Sequence, residues 1–201
     1  MVRPIGCARD GSLSDAPRAT RFANNSPRQI RMKPAPAGRL VPTADGLDLV
    51  LVRTFNASIA DVWASITEPE RTARWFGRWT GQPGPGRTIR YHMAFEGEGP
   101  GSEMLIEACE PPAHLSVRGL DETYGWRLEA HLSESNGVTE LRFTHHLDAK
   151  TNVGDVGPGW EYYLDNLVAS HFGNAMPAWD DYYPSQKPYY QDLAAATRGH
   201  A

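Results

Sequence analysis

Three residues of this chain carry the chemistry for proton transfer in an apolar setting: His145, Tyr163 and His171. His145 falls on the apolar side of the run Leu141, Phe143, His145, Leu147, where an imidazole must find a hydrogen-bond partner. His171 is one candidate partner, on the predicted inward side of the last helix; Tyr163 and Tyr91 are others. A His–His or His–Tyr pair titrates near neutrality and could act as acid and base. The same histidine serves equally as a hydrogen-bonded member of the core. His145 and His146 cannot chelate one ion, because adjacent residues of a regular strand point to opposite faces. No zinc spacing, phosphate-binding Gly-rich loop or G-x-S-x-G turn occurs, and Gly81 to Gly86 (GQPGPG) lacks the Lys-Ser/Thr of a P-loop. Most Asp and Glu fall on predicted outer faces, so the inward carboxylate pair of acid–base hydrolysis is not evident. No metal and no cofactor is expected.

A second set of residues could bind without reacting. Trp75, Tyr91, Met93, Phe95 and Met104 project inward on the predicted elements, as do Trp126, Phe143, Trp160, Tyr163 and Leu167. With His145 as a polar handle, these side chains either form an ordinary core or line a cavity for an apolar ligand. A space of several hundred cubic ångströms would favour binding or catalysis, and a filled interior would sink both.

The elements that place these residues are organised around Phe55 to Phe76, FNASIADVWASITEPERTARWF. Ile59, Val62, Trp63 and Ile66 recur at helical spacing, with Ser58 as N-cap and Asp61 three residues on. Thr67-Glu68-Pro69 ends that helix and begins a second, from about Pro69 to Phe76, with Trp75 and Phe76 on its buried side. Leu47 to Phe55 is a strand, and Gly77 to Arg87 reads as a surface connection. Thr88 to Glu96 is a strand with Ile89, Tyr91, Met93 and Phe95 on one face, followed by a turn over Gly97 to Gly101. Ser102 to Glu110 turns Met104, Ile106 and Ala108 to one side, and Leu115 and Val117 belong to the next strand. Trp126, Leu128, Ala130 and Leu132 share a face of the strand that ends at Asn136-Gly137, a strong hairpin signal. Strands with one apolar and one polar face suit an antiparallel sheet covered on one side. The last helix is predicted over Asp155 to Phe172, with Pro158 in its first turn and Gly173 as its stop. Its buried stripe is Trp160, Tyr163, Leu164, Leu167, Val168 and His171, with Glu161 and Asp165 outward.

The pattern V-W-x-x-I-T-x-P-E-R-x-x-x-W-F, Val62 to Phe76, resembles the opening of the START-like (SRPBCC) superfamily, in the branch related to the C-terminal domain of the activator of the Hsp90 ATPase. Glu110-Pro111-Pro112 with Leu115, the run Gly137 to His145 (GVTELRFTH) and Gly159-Trp160 through Leu164 and Leu167 fit the same resemblance, which spans roughly Leu47 to Gly173. It implies an α+β helix-grip fold, a curved antiparallel sheet wrapped around a long C-terminal helix with two short helices after the first strand. It also implies an internal cavity for a small hydrophobic molecule. The superfamily includes enzymes of the cyclase or dehydratase kind, for which His145 with a tyrosine would be the acid–base pair. Co-chaperone activity in that branch goes with a separate N-terminal domain, which the 46 residues before Leu47 are not expected to form, so that role ranks below the other two.

The chain has 201 residues and a net charge of −4. Residues 1–31 hold six Arg and two Asp, so the remainder carries −8; an acidic body argues against nucleic acid as a partner. Residues 1–40, rich in Arg, Ser, Pro, Ala and Asn, bury too little to offset the entropy of ordering and are expected to be disordered. Met32 is read as a candidate start, an idea that a peptide from residues 1–31 of the native protein would end. The helix-grip domain is placed at 41–173, followed by an irregular aromatic-rich tail over 174–201. Trp179, Tyr182, Tyr183, Tyr189 and Tyr190 are too dense to float free, so this tail should pack against the domain or against a second subunit of a homodimer. Cys7 and Cys109 are the only cysteines, and Cys7 lies in the predicted tail, which leans towards a reducing, cytoplasmic setting. No apolar run is long enough for membrane insertion.

Overall fold

The computed structural model describes residues 33–44, 46–95, 99–121, 125–148 and 150–198. Cys7, Met32, most of the predicted disordered extension and the first two residues of the predicted turn over Gly97 to Gly101 lie outside these residues. The described chain runs β1 (Arg39–Pro42), β2 (Leu47–Phe55), α1 (Ile59–Thr67), α2 (Pro69–Thr72), β3 (Gly77–Thr80), β4 (Thr88–Met93), β5 (Ser102–Glu110), β6 (His114–Gly119), β7 (Arg127–Ser135), β8 (Val138–Leu147), α3 (Val153–Phe172), a short 3-10 turn (Trp179–Asp181) and α4 (Lys187–Arg198). All eight strands join one antiparallel sheet in the order β1-β2-β8-β7-β6-β5-β4-β3. From β3 to β8 the chain is a meander, and β2 closes it by pairing with β8, Leu49 opposite His145 and Leu51 opposite Phe143. The β7–β8 hairpin turns through Asn136 and Gly137, both at positive φ (54° and 77°), the backbone a two-residue hairpin turn requires.

The first helix forms as its residues dictate. The Asp61 N–H donates to Ser58 Oγ at the N-cap, and Val62 and Ser65 face the core. Helix α2 is shorter than its sequence suggests, closing at Thr72, and Trp75 is held beyond it by an indole N–H donated to the Ser65 carbonyl at 2.9 Å. Part of the predicted surface connection is strand β3, which pairs with β4; four residues with one glycine show no alternation to read. Strand β4 ends at Met93, and the chain turns at Ala94 and Phe95, so Phe95 leaves the inward face and is 47% exposed. In β5 the register shifts between Ile106 and Ala108. Glu107 is therefore an extra, unpaired residue, and beyond it Cys109 rather than Ala108 turns to the core.

Helix α3 lies along the apolar face of the sheet. Asn152, accepting from the Gly154 N–H at 3.2 Å, starts it two residues earlier than predicted. Pro158 thus sits in the second turn, where it cannot donate to the Gly154 carbonyl. The sheet-facing stripe Trp160, Tyr163, Leu164 and Leu167 is buried as expected. Of Glu161 and Asp165, both predicted to face water, Glu161 is 1% exposed and Asp165 is half-buried and paired. A second layer covers that side of α3. Glu161 Oε1 accepts from the backbone N–H groups of Ala37 (2.6 Å) and Gly38 (2.9 Å) and from the Tyr190 hydroxyl. Arg53 reaches Glu161 Oε2 at 2.6 Å and Asp165 Oδ1 at 2.7 Å, and the Tyr182 hydroxyl donates to Asp165 Oδ2 at 2.6 Å. Burial disfavours the Arg53 charge, but Asp165 and Glu161 outweigh it and raise its pKa. Burial pushes both tyrosine phenols up, helped at Tyr182 by Asp165 and Glu161 and at Tyr190 by Glu161.

That layer is built from segments predicted to be unstructured. Residues 33–40, within the predicted disordered extension, run into β1 and contribute two of the donors to Glu161. The tail after Gly173 is not irregular: α4 packs on α3 and β1. Gly157 on α3 makes the approach feasible, since a Cβ there would lie 2.4 Å from the Tyr190 ring.

Candidate functional site

The site is organised by Trp160, which α3 projects at the sheet. Its indole N–H donates to His145 Nδ1 at 3.0 Å, with the two rings nearly perpendicular. Phe143 lies 4.4 Å away, ring centre to ring centre, and Phe76 stacks near-parallel at 6.3 Å. Trp126 meets the indole edge-on at 5.7 Å. Phe76 also contacts Trp75, Tyr91 and Tyr163, so the middle of the grip is an interlocked aromatic cluster.

Trp160 divides the remaining space in two, lining both parts. The inner part, about 160 Å³, is walled by Trp75, Phe76, Tyr91, Met104 and Phe143, with Cys109 and Leu164. It is smaller than the few hundred cubic ångströms of an ordinary ligand pocket. The outer part, about 1200 Å³, opens at the mouth of the grip and is lined by Met93, Phe95, Trp126, His145 and Tyr163. Its rim is polar, with Asp48, Arg127, His146, Asp148, Thr151 and Asp155, while Tyr162 and Trp179 add rings from α3 and the tail. Those two rings meet edge-on at 5.3 Å. The sequence-predicted lining is thus distributed over two spaces. Leu167 is fully buried and lines neither.

The expected partners of His145 are not the ones it has. His171 lies elsewhere, its Nδ1 2.9 Å from Ser65 Oγ and its Nε2 3.5 Å from Asp61. His145 is 4% exposed. Burial, aided by the nearby His146 charge and opposed by Asp148, lowers its pKa to about 4. An indole N–H can only donate, so the neutral imidazole accepts at Nδ1 and carries its proton on Nε2. Sequence reasoning missed Phe76 as the centre of the cluster, the rim charges, and Tyr162 and Trp179 at the mouth. The density of aromatics in the tail was the one signal for the last of these.

Residues 56–171 match the family described as Activator of Hsp90 ATPase homolog 1-like protein. A search of curated protein sequences gives no match. Among solved structures, CalU16 from Micromonospora echinospora superposes with a TM-score of 0.62 at 24% identity, over 79% of this chain and 96% of that one. The Aha1 dimer from Colwellia psychrerythraea gives 0.53 at 18% identity, over 64% and 98%. DynU16, a protein in the dynemicin biosynthetic locus, gives 0.55 at 20% identity, over 68% of this chain and half of that one. At these identities the likeness is one of fold. The eight-stranded sheet clasping α3, together with the match over 56–171, shows that the chain belongs to the Activator of Hsp90 ATPase homolog 1-like family and has the helix-grip fold of the START-like superfamily.

Proposed function

We propose that this protein binds a ring-containing, largely apolar small molecule in the outer cavity, with the His145 Nε2–H group as donor to an acceptor on the ligand. The observation that carries this reading is the space of about 1200 Å³ at the mouth, whose wall includes Trp126, Trp160 and Tyr163 beside a polar rim. A ligand of that size would lay its rings against the tryptophans and keep its polar end at the rim, the usual division of labour in such pockets. The inner space would hold at most a small substituent. An acid–base role for His145 is less well supported, because its accepting nitrogen is committed to Trp160 and its basicity is low. We place this binder in the cytoplasm, and a homodimer is the assembly to examine beside the monomer, given the dimeric Aha1 structure.

Fractionated organic extract of the protein's own host, screened by thermal shift, tests the proposal. Some fraction should raise the melting temperature of the wild type, and should do so much less for Trp126→Ala. If every fraction leaves the wild type unmoved, and native mass spectrometry of protein from its host finds no copurifying molecule, the binding reading fails.

A further inference from the structure

The face of the sheet away from α3 carries a cluster that the ligand cavity does not use. His114 on β6 and His131 on β7 are directly opposite in register, and their rings stack at 4.3 Å with planes 9° apart. Glu129 precedes His131 by two residues and so lies on the same face. One of its oxygens, Oε1, sits 2.7 Å from His114 Nε2 and 3.2 Å from His131 Nε2. The three ligand-capable atoms lie within 4.8 Å of one another.

The geometry points to a mononuclear zinc-class metal site formed by His114 Nε2, His131 Nε2 and Glu129 Oε1. Donors bound at the usual zinc distances of about 2.0–2.1 Å stand about 3.3 Å apart in a tetrahedron. Each imidazole nitrogen is already near that separation from the carboxylate oxygen; the two nitrogens must close by no more than about 1.5 Å, and one ring must turn out of the stack, because the in-plane lone pairs of near-parallel rings do not converge on one ion. His131, with half its side chain exposed, can supply that movement by ring rotation. Two imidazoles and a carboxylate leave the fourth position to water, a coordination that zinc accepts readily. Imidazole donors disfavour magnesium and calcium, which prefer all-oxygen sites.

The surroundings suit ligands held for a metal. Glu129 Oε2 lies 3.5 Å from His146 Nε2, whose Nδ1 is 2.8 Å from Asp48. The far nitrogen of His114, Nδ1, is 3.8 Å from Glu110. Of these contacts only that between His146 and Asp48 is a hydrogen bond, and it holds the His146 ring towards Glu129; carboxylate and imidazole groups in such places orient ligands once they close on them. Sequence spacing does not reveal this set, because its members come from two strands and meet only through the β6–β7 register.

The test is titration of the full chain with Zn²⁺ by calorimetry, repeated with Co²⁺ by visible absorption, in wild type and in His114→Ala/His131→Ala. The wild type should bind one equivalent, with a raised melting temperature, and Co²⁺ should show d–d bands with no thiolate charge-transfer band. The double variant should lose this binding, and His146→Gln should weaken it by roughly 10–100-fold. Magnesium should not compete. If the double variant fails to fold, His131→Ala alone serves, since that side chain is half exposed. Equal zinc binding by wild type and variant overturns the assignment, as does the lack of saturable binding in the wild type or a thiolate band with Co²⁺.

Discussion

His145 and Trp160 form one unit, and two predictions belong to that pair. An unfolded chain protonates histidine near the ordinary value of 6.5, whereas burial delays protonation in the folded protein until about pH 4. Above pH 6.5 both states are neutral and the group contributes nothing. As the pH falls below that value the unfolded state gains the proton first and is favoured. By pH 5 this one residue should destabilise the fold by about 2 kcal/mol relative to pH 7. His145→Gln keeps an acceptor for the indole and removes the titration, so the difference between wild-type and variant denaturation curves at pH 7 and pH 5 isolates the effect. Trp160→Phe keeps a ring against Phe143 and Phe76 but deletes the donor, leaving His145 Nδ1 buried without its partner. We expect a loss of about 1–3 kcal/mol by urea unfolding, on top of any cost of the smaller ring.

At the scale of elements, α3 shows what periodicity can and cannot reveal. The stripe Trp160, Tyr163, Leu164, Leu167 was legible because its spacing matches the helix and its partner face is apolar. Strand alternation exposed β7 and β8, including the inward placement of His145, for the same reason. The opposite side of α3 was misread because Glu161 and Asp165 look solvated in isolation; only Arg53 from β2 and the tyrosines of the tail reveal Glu161 as buried and both as paired. The bulge in β5 was invisible, since one extra residue inverts every later side chain without altering composition. The partner of His145 was missed because the indole reaches it across the grip, from a residue already read as core. Removing one member of the buried set leaves the others uncompensated. Glu161→Ala should therefore cost about 3–5 kcal/mol. Arg90→Ala, which breaks a half-exposed pair with Glu103, should cost about 1 kcal/mol or less. Parallel denaturant titrations of the two variants check the contrast.

On the scale of the whole molecule, the grip has two layers of contact around α3: the apolar sheet face on one side, and residues 33–38, β1, the tail and α4 on the other. No helix among the described residues is long and apolar enough to cross a membrane. Truncation after Gly173 removes Tyr182 and Tyr190 and opens the Arg53–Glu161–Asp165 network to water. Such a chain should unfold at markedly lower urea and be cut faster by protease within β1 and β2 than the full-length protein. Gly157→Ala tests the same seam more gently: the methyl group meets the Tyr190 ring, so α4 must lift. Hydrogen exchange should then accelerate over 187–198 while β7 and β8 stay protected.

The register shift in β5 leaves Cys109 beside the inner space behind Trp160. Being only half-buried, its thiol gives the protein a gauge of access to that interior. With Cys7 changed to Ser, the labelling rate of the remaining thiol by a small maleimide reads how freely a reagent reaches that position, and a guest lodged in the grip should slow that clock.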